Sequence, residues 1–446
     1  MKVIIISILL IMSLGFLNCN FDNGDKVNND PGENNSRDPI VDPIWSEWIK
    51  DNSFSIDSVT DESSFEDIQF LKSIIQNRRL VQLGESSHGV MEFNQIKVRL
   101  IKFLHEEMGF NVIAFESGIF ECYYGNQYIE SQTPESLMKG SIFGVWQTNE
   151  VIKLFDYIIN TQKTENPLIL AGFDTQFSGA FRASRPTFLK DLIAPINNEY
   201  AEEVFQEDTN LVNYFPKNSY DDFKEYVKQN REFLELFYLT IIDFIDNNID
   251  KIVDKNGGDL TSVLIARQSV LSTIKFLNQI IVVPLEGGLI RDEGMADNLS
   301  FLIETVYPDK KIITWAHNGH ILHANPKVQK YQGYNKRSMG SWISERYRSS
   351  LYTIALYMYE GQAAQNDRKI YNITRPLDNS LEAICNEAAG EFIFVDMLNQ
   401  VEVEGNSWMF AMTPVRSWGI YEQKMVPRDQ YDAILFIKTV HPPDYY

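Results

Sequence analysis

Short runs of consecutive apolar residues, separated by stretches with helical periodicity, are the feature that most constrains the fold of this chain. The runs cover residues 80–84, 111–115, 168–172, 311–315, 352–358, 392–397 and 433–438. Strands that are apolar along their whole length are typical of a sheet covered on both faces. Because helical patterns alternate with these strands, the sequence predicts an α/β fold with a mainly parallel central sheet flanked by helices.

The stretch from about residue 182 to residue 287 interrupts this alternation. Its amphipathic patterns predict two long helices, Asp221 to Asn247 and Thr261 to Ile280, with no strand-like run between them. We interpret the stretch as a helical insertion. The alternative is that it continues the outer helical layer of the sheet.

The amino terminus has the pattern of an export signal. In residues 1–18, Lys2 precedes an apolar run that is too short to cross a membrane comfortably, which predicts a secretory signal peptide. Cys19 follows the run and is the predicted site of lipidation, although Asn18 before it also fits ordinary cleavage beside an incidental cysteine. Residues 19–43 are predicted to be a flexible tether and residues 44–446 the folded domain. We therefore expect a lipoprotein of the cell envelope, periplasmic or surface-exposed, with a lipid on Cys19 as its only membrane attachment.

Charge and composition limit the partners. The chain has 40 basic and 61 acidic residues, a formal net charge of -21, which repels nucleic-acid phosphates and makes nucleic acid an unfavourable partner. An apolar content of 44% is that of a globular protein. After Cys19 only Cys122 and Cys385 remain, so the fold cannot depend on a disulfide framework.

Ionisable residues follow four of the predicted strands, at the point where each strand ends. They are Glu85 and His88, Glu116, Asp174, and His317 with His320. Ligands of open α/β sheets bind outside the carboxyl ends of the strands. The sequence therefore predicts that these side chains converge on one crevice.

An imidazole beside a carboxylate is suited to taking a proton from water at neutral pH. His88 is the candidate base, and either Glu85 or Glu116 could be its acid. The alternative is that Ser86, Ser87 or His88 only caps the following helix. Lys97 lies within the apolar stripe of that helix, so it is either buried with a negative partner or extends its ammonium group to water.

His317 and His320 allow two interpretations. With a carboxylate from Glu85, Glu116 or Asp174 they could bind zinc or iron. They could instead polarise a carbonyl group and stabilise an oxyanion. The chain has no Gly-x-Ser-x-Gly motif, no Walker loop and no dinucleotide-binding motif.

Six ordered motifs between about residues 65 and 440 resemble the erythromycin esterase family of bacterial hydrolases. They are Gly84-Glu85-Ser86-Ser87-His88-Gly89, Val112 to Glu116, Trp146 to Glu150, Gly172-Phe173-Asp174, Arg291-Asp292 with Met295 to Leu299, and Trp315 to His320. The resemblance implies a lactone or carboxylic ester hydrolase, with macrolide antibiotics among the substrates that the family suggests. Macrolide resistance enzymes of this family usually act in the cytoplasm, so the predicted envelope location is not the one that a resistance enzyme usually has.

The resemblance also implies the roles of individual residues. His88 would activate water without a covalent intermediate, and Glu85 and Glu116 would hold or tune it. Substrate would be bound by His317, His320, Lys97, Arg291 and Asp174, and neither a cofactor nor a metal would be needed. Arg291 could alternatively pair with Asp292 or Asp174 to fix its helix. Two other functions stay open at this point: an envelope lipoprotein that binds a ligand such as haem, and a metal-dependent hydrolase.

Overall fold

The computed structural model describes residues 37–60, 62–217, 219–330 and 336–446. Within these ranges, nine strands form one sheet and three form a second, smaller sheet. The strands are β1 (Phe54–Ile56), β2 (Leu80–Leu83), β3 (Phe110–Gly118), β4 (Ile169–Asp174), β5 (Lys311–Trp315), β6 (Gln329–Lys330), β7 (Leu351–Ala364), β8 (Ile370–Asn372), β9 (Phe392–Asp396), β10 (Thr413–Ser417), β11 (Tyr421–Met425) and β12 (Ala433–Val440).

The large sheet has the order β1-β9-β12-β7-β2-β5-β3-β4, with β8 paired to β7. Neighbours from β12 to β4 are parallel, whereas β1, β8 and β9 make antiparallel pairs. The predicted α/β fold with a mainly parallel sheet is confirmed. All seven predicted strands are present, and β5 has the predicted bounds.

The register of the parallel strands aligns the ends that carry the polar residues. Leu83 of β2 pairs with Trp315 of β5, Trp315 pairs with Phe115 of β3, and Phe115 pairs with Gly172 of β4. The residues that follow this row therefore emerge side by side at one edge of the sheet.

Side chains of each central strand alternate between two apolar cores. In β3, Ile113 and Phe115 belong to one core and Val112 and Ala114 to the other. Both faces are covered by helices, which explains why the strands are apolar along their whole length. The helices that precede or flank this sheet are α1 (Pro43–Asn52), α2 (Leu71–Ile75), α3 (Met91–Met108), α4 (Ile119–Gln127), α5 (Pro134–Ser141) and α6 (Ile152–Thr161).

The stretch interpreted as an insertion consists of helices with a core of their own. They are α7 (Arg185–Ile193), α8 (Asn198–Lys217), α9 (Tyr220–Gln229), α10 (Arg231–Lys255) and α11 (Leu260–Ile281). The pattern Asp221 to Asn247 was predicted as one helix, and this is wrong, because Asn230 ends α9 and caps it through a hydrogen bond from Nδ2 to the Tyr226 carbonyl. The later helices are α12 (Pro284–Phe301), α13 (Met339–Tyr347), α14 (Leu381–Asn386) and α15 (Pro427–Gln430).

The signal peptide, most of the tether and the lipidation site Cys19 lie outside the described residues, so these stay predictions. In the part of the chain that the structure describes, none of the helices has the length and apolar character needed to cross a membrane. Cys122 and Cys385 are both buried free thiols.

Candidate functional site

The loop after β2 holds a histidine against a buried carboxylate. Gly84 begins this loop, and a Cβ atom there would lie 2.0 Å from Asn318 Oδ1 and 2.8 Å from Ile321 Cδ1, so any larger residue would displace these side chains. His88 Nδ1 lies 2.6 Å from Glu85 Oε1, and both side chains are almost completely buried. Glu85, rather than Glu116, is therefore the direct partner of His88.

Two further donors bind the Glu85 carboxylate. Trp146 Nε1 donates to Oε1 at 2.7 Å, and Lys97 Nζ donates to Oε2. Burial raises the pKa of Glu85, but the charge of Lys97 and the hydrogen bond from His88 more than offset this, so the pKa lies below its ordinary value. Glu85 is therefore a carboxylate at neutral pH.

Lys97 is completely buried, as in the first of the two alternatives for this residue. Its Nζ lies 4.0 Å from the ring centroid of Trp315, in addition to its contact with Glu85. Burial lowers the pKa of Lys97 to about 8, against the opposing effect of Glu85. Lys97 therefore balances the charge of Glu85 from inside the protein.

A second charged cluster forms at the ends of β3 and β4. Arg291 of α12 donates through Nη2 to Glu116 Oε1 at 2.8 Å and through Nε to Asp174 Oδ2 at 3.1 Å. His320 Nε2 lies 3.3 Å from Glu116 Oε1, and its Nδ1 lies 2.8 Å from Asp292 Oδ1. Of the two partners considered for Arg291, Asp174 is the observed one, because Asp292 binds His320 instead.

Glu116 connects this cluster to the loop after β5. Its Oε2 accepts the backbone N–H of His317 at 2.9 Å. Burial raises the pKa of Glu116, but the charges of His320, Arg291 and His88 and this hydrogen bond bring it down to about 2. Glu116 is a permanent negative charge between the two groups of residues.

The two ring nitrogens of His317 both bind backbone atoms. Nδ1 accepts from the Gly319 N–H at 3.0 Å, so Nε2 carries the hydrogen and donates to the Ser86 carbonyl at 3.2 Å. Burial, together with the neighbouring His88 and His320, holds the pKa of His317 well below its ordinary value. His317 is thus a neutral imidazole, and its ring lies 5.0 Å from that of His88.

Aromatic rings enclose His88, and sequence reasoning assigned no role to two of them. The rings of Trp146 and Trp418 lie 5.2 and 5.3 Å from the imidazole, both nearly perpendicular to it. Trp418 lies between β10 and β11 in the smaller sheet, with a positive φ of 59°. The backbone N–H of Trp418 donates to the Ser86 carbonyl at 2.8 Å, and the backbone carbonyl of Trp418 accepts from Tyr371 Oη at 2.8 Å. His88 is only 4% exposed under this cover.

The structure brings all eight candidate residues within the fold into one largely buried cluster at the carboxyl ends of the parallel strands, where the crevice is predicted, and we refer to this cluster as the crevice. Glu85, His88 and Lys97 form one side of it, and Glu116, Asp174, Arg291 and His320 form the other, with His317 between them. Within the described ranges, no three or more His, Cys, Asp or Glu side chains are arranged to hold a metal ion. A cavity of about 820 Å³ lies between α11 and α12, and its lining includes Thr175, the residue after Asp174, and Asn298, which donates to the Asp174 carbonyl.

The crevice therefore combines an oriented imidazole and carboxylate with a positively charged guanidinium group. The first pair can accept and return a proton, and the second can stabilise negative charge that develops on a substrate oxygen.

Comparisons with known proteins identify the family and the fold. The sequence profile of the erythromycin esterase family matches residues 105–440. The candidate hydrolase YbfO of Bacillus subtilis (strain 168) is 31% identical over 417 residues, which are 89% of this chain and 91% of YbfO. The type II erythromycin esterase of Escherichia coli is 21% identical over 341 residues, 72% of this chain and 78% of that enzyme. The crystal structure of a Bacillus cereus protein superposes with a TM-score of 0.77 at 20% identity, covering 90% of this chain and 98% of that one, and so shows the same fold.

Proposed function

The chain belongs to the erythromycin esterase family of hydrolases, and from that premise we propose that it cleaves a carboxylic ester or lactone with water activated by His88. The observation that supports this most directly is the 2.6 Å contact between His88 Nδ1 and Glu85 Oε1. It commits Nδ1 as a donor and makes Nε2 the nitrogen that accepts a proton. Glu85, held ionised by Lys97 and Trp146, stabilises the imidazolium that results.

In the proposed reaction, water attacks the carbonyl carbon while His88 Nε2 takes its proton. The new C–O bond forms a tetrahedral intermediate, and its oxyanion is stabilised by Arg291 with His320 beside it. The bond from carbon to the alkoxy oxygen then breaks, and the imidazolium returns the proton to that oxygen. The products are a carboxylic acid and an alcohol, and no covalent bond to the protein forms.

The remaining candidate residues take supporting roles in this proposal. Glu116 and Asp174 hold the guanidinium of Arg291 in place, and Glu116 also fixes the loop that carries His317. The ring of His317 packs beside that of His88, while both of its ring nitrogens stay hydrogen-bonded to backbone atoms. The matches described above support neither a ligand-binding lipoprotein nor a metal-dependent hydrolase.

The test is mass spectrometry of a panel of esters and lactones after incubation with the protein. Erythromycin is the first compound, because the Escherichia coli relative is named for it. A hydrolysed compound gains one water, and in water labelled with ¹⁸O the product acid carries one label, with no adduct on the intact protein. His88→Ala is expected to lose at least about 10³-fold in kcat/KM.

His441→Ala is the matched control, because that histidine binds Glu92 and its side chain is 60% exposed. It should retain the activity of the unaltered protein. Hydrolysis by His88→Ala within tenfold of that activity would contradict the proposal, and so would an acyl adduct on the protein.

A further inference from the structure

Trp146 shares a single carboxylate oxygen with the candidate base. Its Nε1 lies 2.7 Å from Glu85 Oε1, the same atom that lies 2.6 Å from His88 Nδ1. The two N–H groups therefore compete for, and jointly determine, the position and basicity of that oxygen. Lys97 binds the other oxygen, Oε2, so the carboxylate has little freedom to rotate.

The indole is fixed by its surroundings. Trp146 ends a short 3₁₀ helix, Gly144–Trp146, and is 1% exposed. Its ring contacts the rings of Phe115, Phe143 and Trp315 at centroid distances of 6.4 to 6.5 Å. On its remaining side it meets the imidazole of His88 at 5.2 Å and 88°. Because the indole cannot shift, its N–H direction is set before substrate binds.

We propose that Trp146 is a positioning residue, which acts through Glu85 to keep the proton of the Glu85 and His88 pair on His88 Nδ1. A carboxylate oxygen that already accepts an indole N–H is a weaker base towards a second donor. The imidazole consequently keeps its Nε2 lone pair directed away from Glu85, which is the form needed to accept a proton from water. This inference rests on the proposed function only for its consequence in hydrolysis, not for its effect on the imidazole.

Trp146→Phe leaves in place the titratable groups that face His88. They are Glu85 after β2, Glu116 of β3 and His317 after β5, with Lys97 of α3 behind Glu85. A change in the titration of His88 on removal of the indole N–H is therefore attributable to the Glu85 oxygen.

The experiment compares Trp146→Phe with the unaltered protein by ¹⁵N NMR of the imidazole groups over pH, with His88→Ala identifying the His88 signals. Without the indole N–H, Glu85 Oε1 attracts the imidazolium more strongly, so the titration midpoint of His88 is expected to rise by about one pH unit. The acidic limb of kcat/KM should move by the same amount, and at pH values below the midpoint kcat should fall by up to about tenfold with little change in KM, because less of His88 is the free base.

Trp408→Phe is the matched control. Trp408 is also completely buried, but its Nε1 has no hydrogen-bond partner in the part of the chain that the structure describes. It should leave the titration of His88 and the pH profile unchanged. If Trp146→Phe does not fold, benzothienylalanine at position 146 keeps the bicyclic ring and replaces only the N–H with sulphur.

In a Glu85→Gln background, Trp146→Phe should have no further effect on the His88 midpoint, because the path through the carboxylate is gone. An unchanged midpoint in Trp146→Phe, or an equal shift in Trp408→Phe, would overturn the role of Trp146. The NMR titration of His88 does not depend on hydrolysis, so it tests the role of Trp146 separately. The proposed function is overturned by a different result, the retention of activity by His88→Ala.

Discussion

The crevice and the helices α7 to α11 each bury an ion pair, but the two pairs differ in whether the cation occupies one or both oxygens of the carboxylate. In the helices, Arg185 binds both oxygens of Asp208, and Tyr238 donates to Asp208 at 2.8 Å. Burial lowers the pKa of Arg185, but Asp208 more than offsets this, so it lies above its ordinary value. In the crevice, the corresponding cation Lys97 has a pKa of about 8.

The difference shows how similar components serve different ends. A bidentate guanidinium pair saturates its carboxylate and stays charged at every physiological pH, so it fixes the packing of helices. An ammonium group uses one oxygen of Glu85 and leaves the other for His88 and Trp146. The Arg185–Asp208 pair leaves neither carboxylate oxygen without a charged donor, whereas the Lys97–Glu85 pair leaves one oxygen for His88, which must gain and lose a proton in the proposed reaction.

Removing both members of the crevice pair should have the largest effect. Glu85→Gln with Lys97→Met removes both charges together, so the free energy of unfolding should change by only about 1 kcal/mol. The kcat/KM for an ester should nevertheless fall about 10³-fold, because a neutral amide cannot stabilise the imidazolium. Urea unfolding and steady-state kinetics measure the two quantities. Activity within tenfold of the unaltered protein would mean that this pair, too, is only structural.

Breaking the pair in the helices should affect stability alone. Arg185→Met leaves Asp208 buried without its cation and should cost about 3–5 kcal/mol in the free energy of unfolding. Adding Asp208→Leu and Tyr238→Phe removes the buried carboxylate and the hydroxyl that binds it, and should recover most of the loss. The kcat/KM of the folded protein should stay within twofold in both variants. A loss below about 1 kcal/mol for Arg185→Met alone would show that the buried charge is compensated elsewhere.

Acid should lower the free energy of unfolding through the protonation of Glu116. Its pKa is about 2 in the folded protein and 4.5 ordinarily, so the unfolded chain binds this proton first as the pH falls. The contribution of Glu116 is therefore complete above pH 4.5 and is lost as the pH approaches 2, at most about 3 kcal/mol. Glu116→Gln should flatten the free energy of unfolding between pH 3 and 4.5, measured with urea. An unchanged slope would assign the acid sensitivity to other carboxylates.

The smallest effect is expected from an ion pair on the surface of the same helices. Arg267 binds Asp246 through two hydrogen bonds, but the side chains are 32% and 42% exposed. Arg267→Met should cost no more than about 1 kcal/mol, and less in high salt. The matched comparison is Arg185→Met, which differs chiefly in burial. Equal losses from both variants would show that burial is not what separates these pairs.

The sequence predicts the crevice because the relevant information is local. Each strand is a short apolar run, and each of these acidic or histidine residues lies within two residues of a strand end: Glu85 and His317 after β2 and β5, Asp174 as the last residue of β4, and Glu116 just before the end of β3. Parallel pairing then requires these ends to meet at one edge of the sheet. The partner of His88 could not be chosen in this way, because both Glu85 and Glu116 satisfy the same rule.

Contacts that distant elements of the chain make with the crevice could not be predicted from local sequence patterns. Trp418 reaches His88 from the smaller sheet of β6, β10 and β11, and no periodicity around Ser417 or Gly419 indicates this. The break at Asn230 was missed for a related reason, since the amphipathic pattern continues through it without glycine or proline. Tertiary packing decides both features, and only the Asn side chain, which can cap a helix locally, gives a weak signal.

The position of β2 in the sheet has a consequence for how the protein is made. Its two neighbours are β5 and β7, which begin at Lys311 and Leu351, more than 220 residues after β2 ends at Leu83. A ribosome that adds about 5–20 residues per second needs roughly 10 to 45 s to extend the chain from β2 to β5. During synthesis the strand that supports Glu85 and His88 therefore waits without either neighbour, and the crevice can assemble only once nearly the whole chain has emerged.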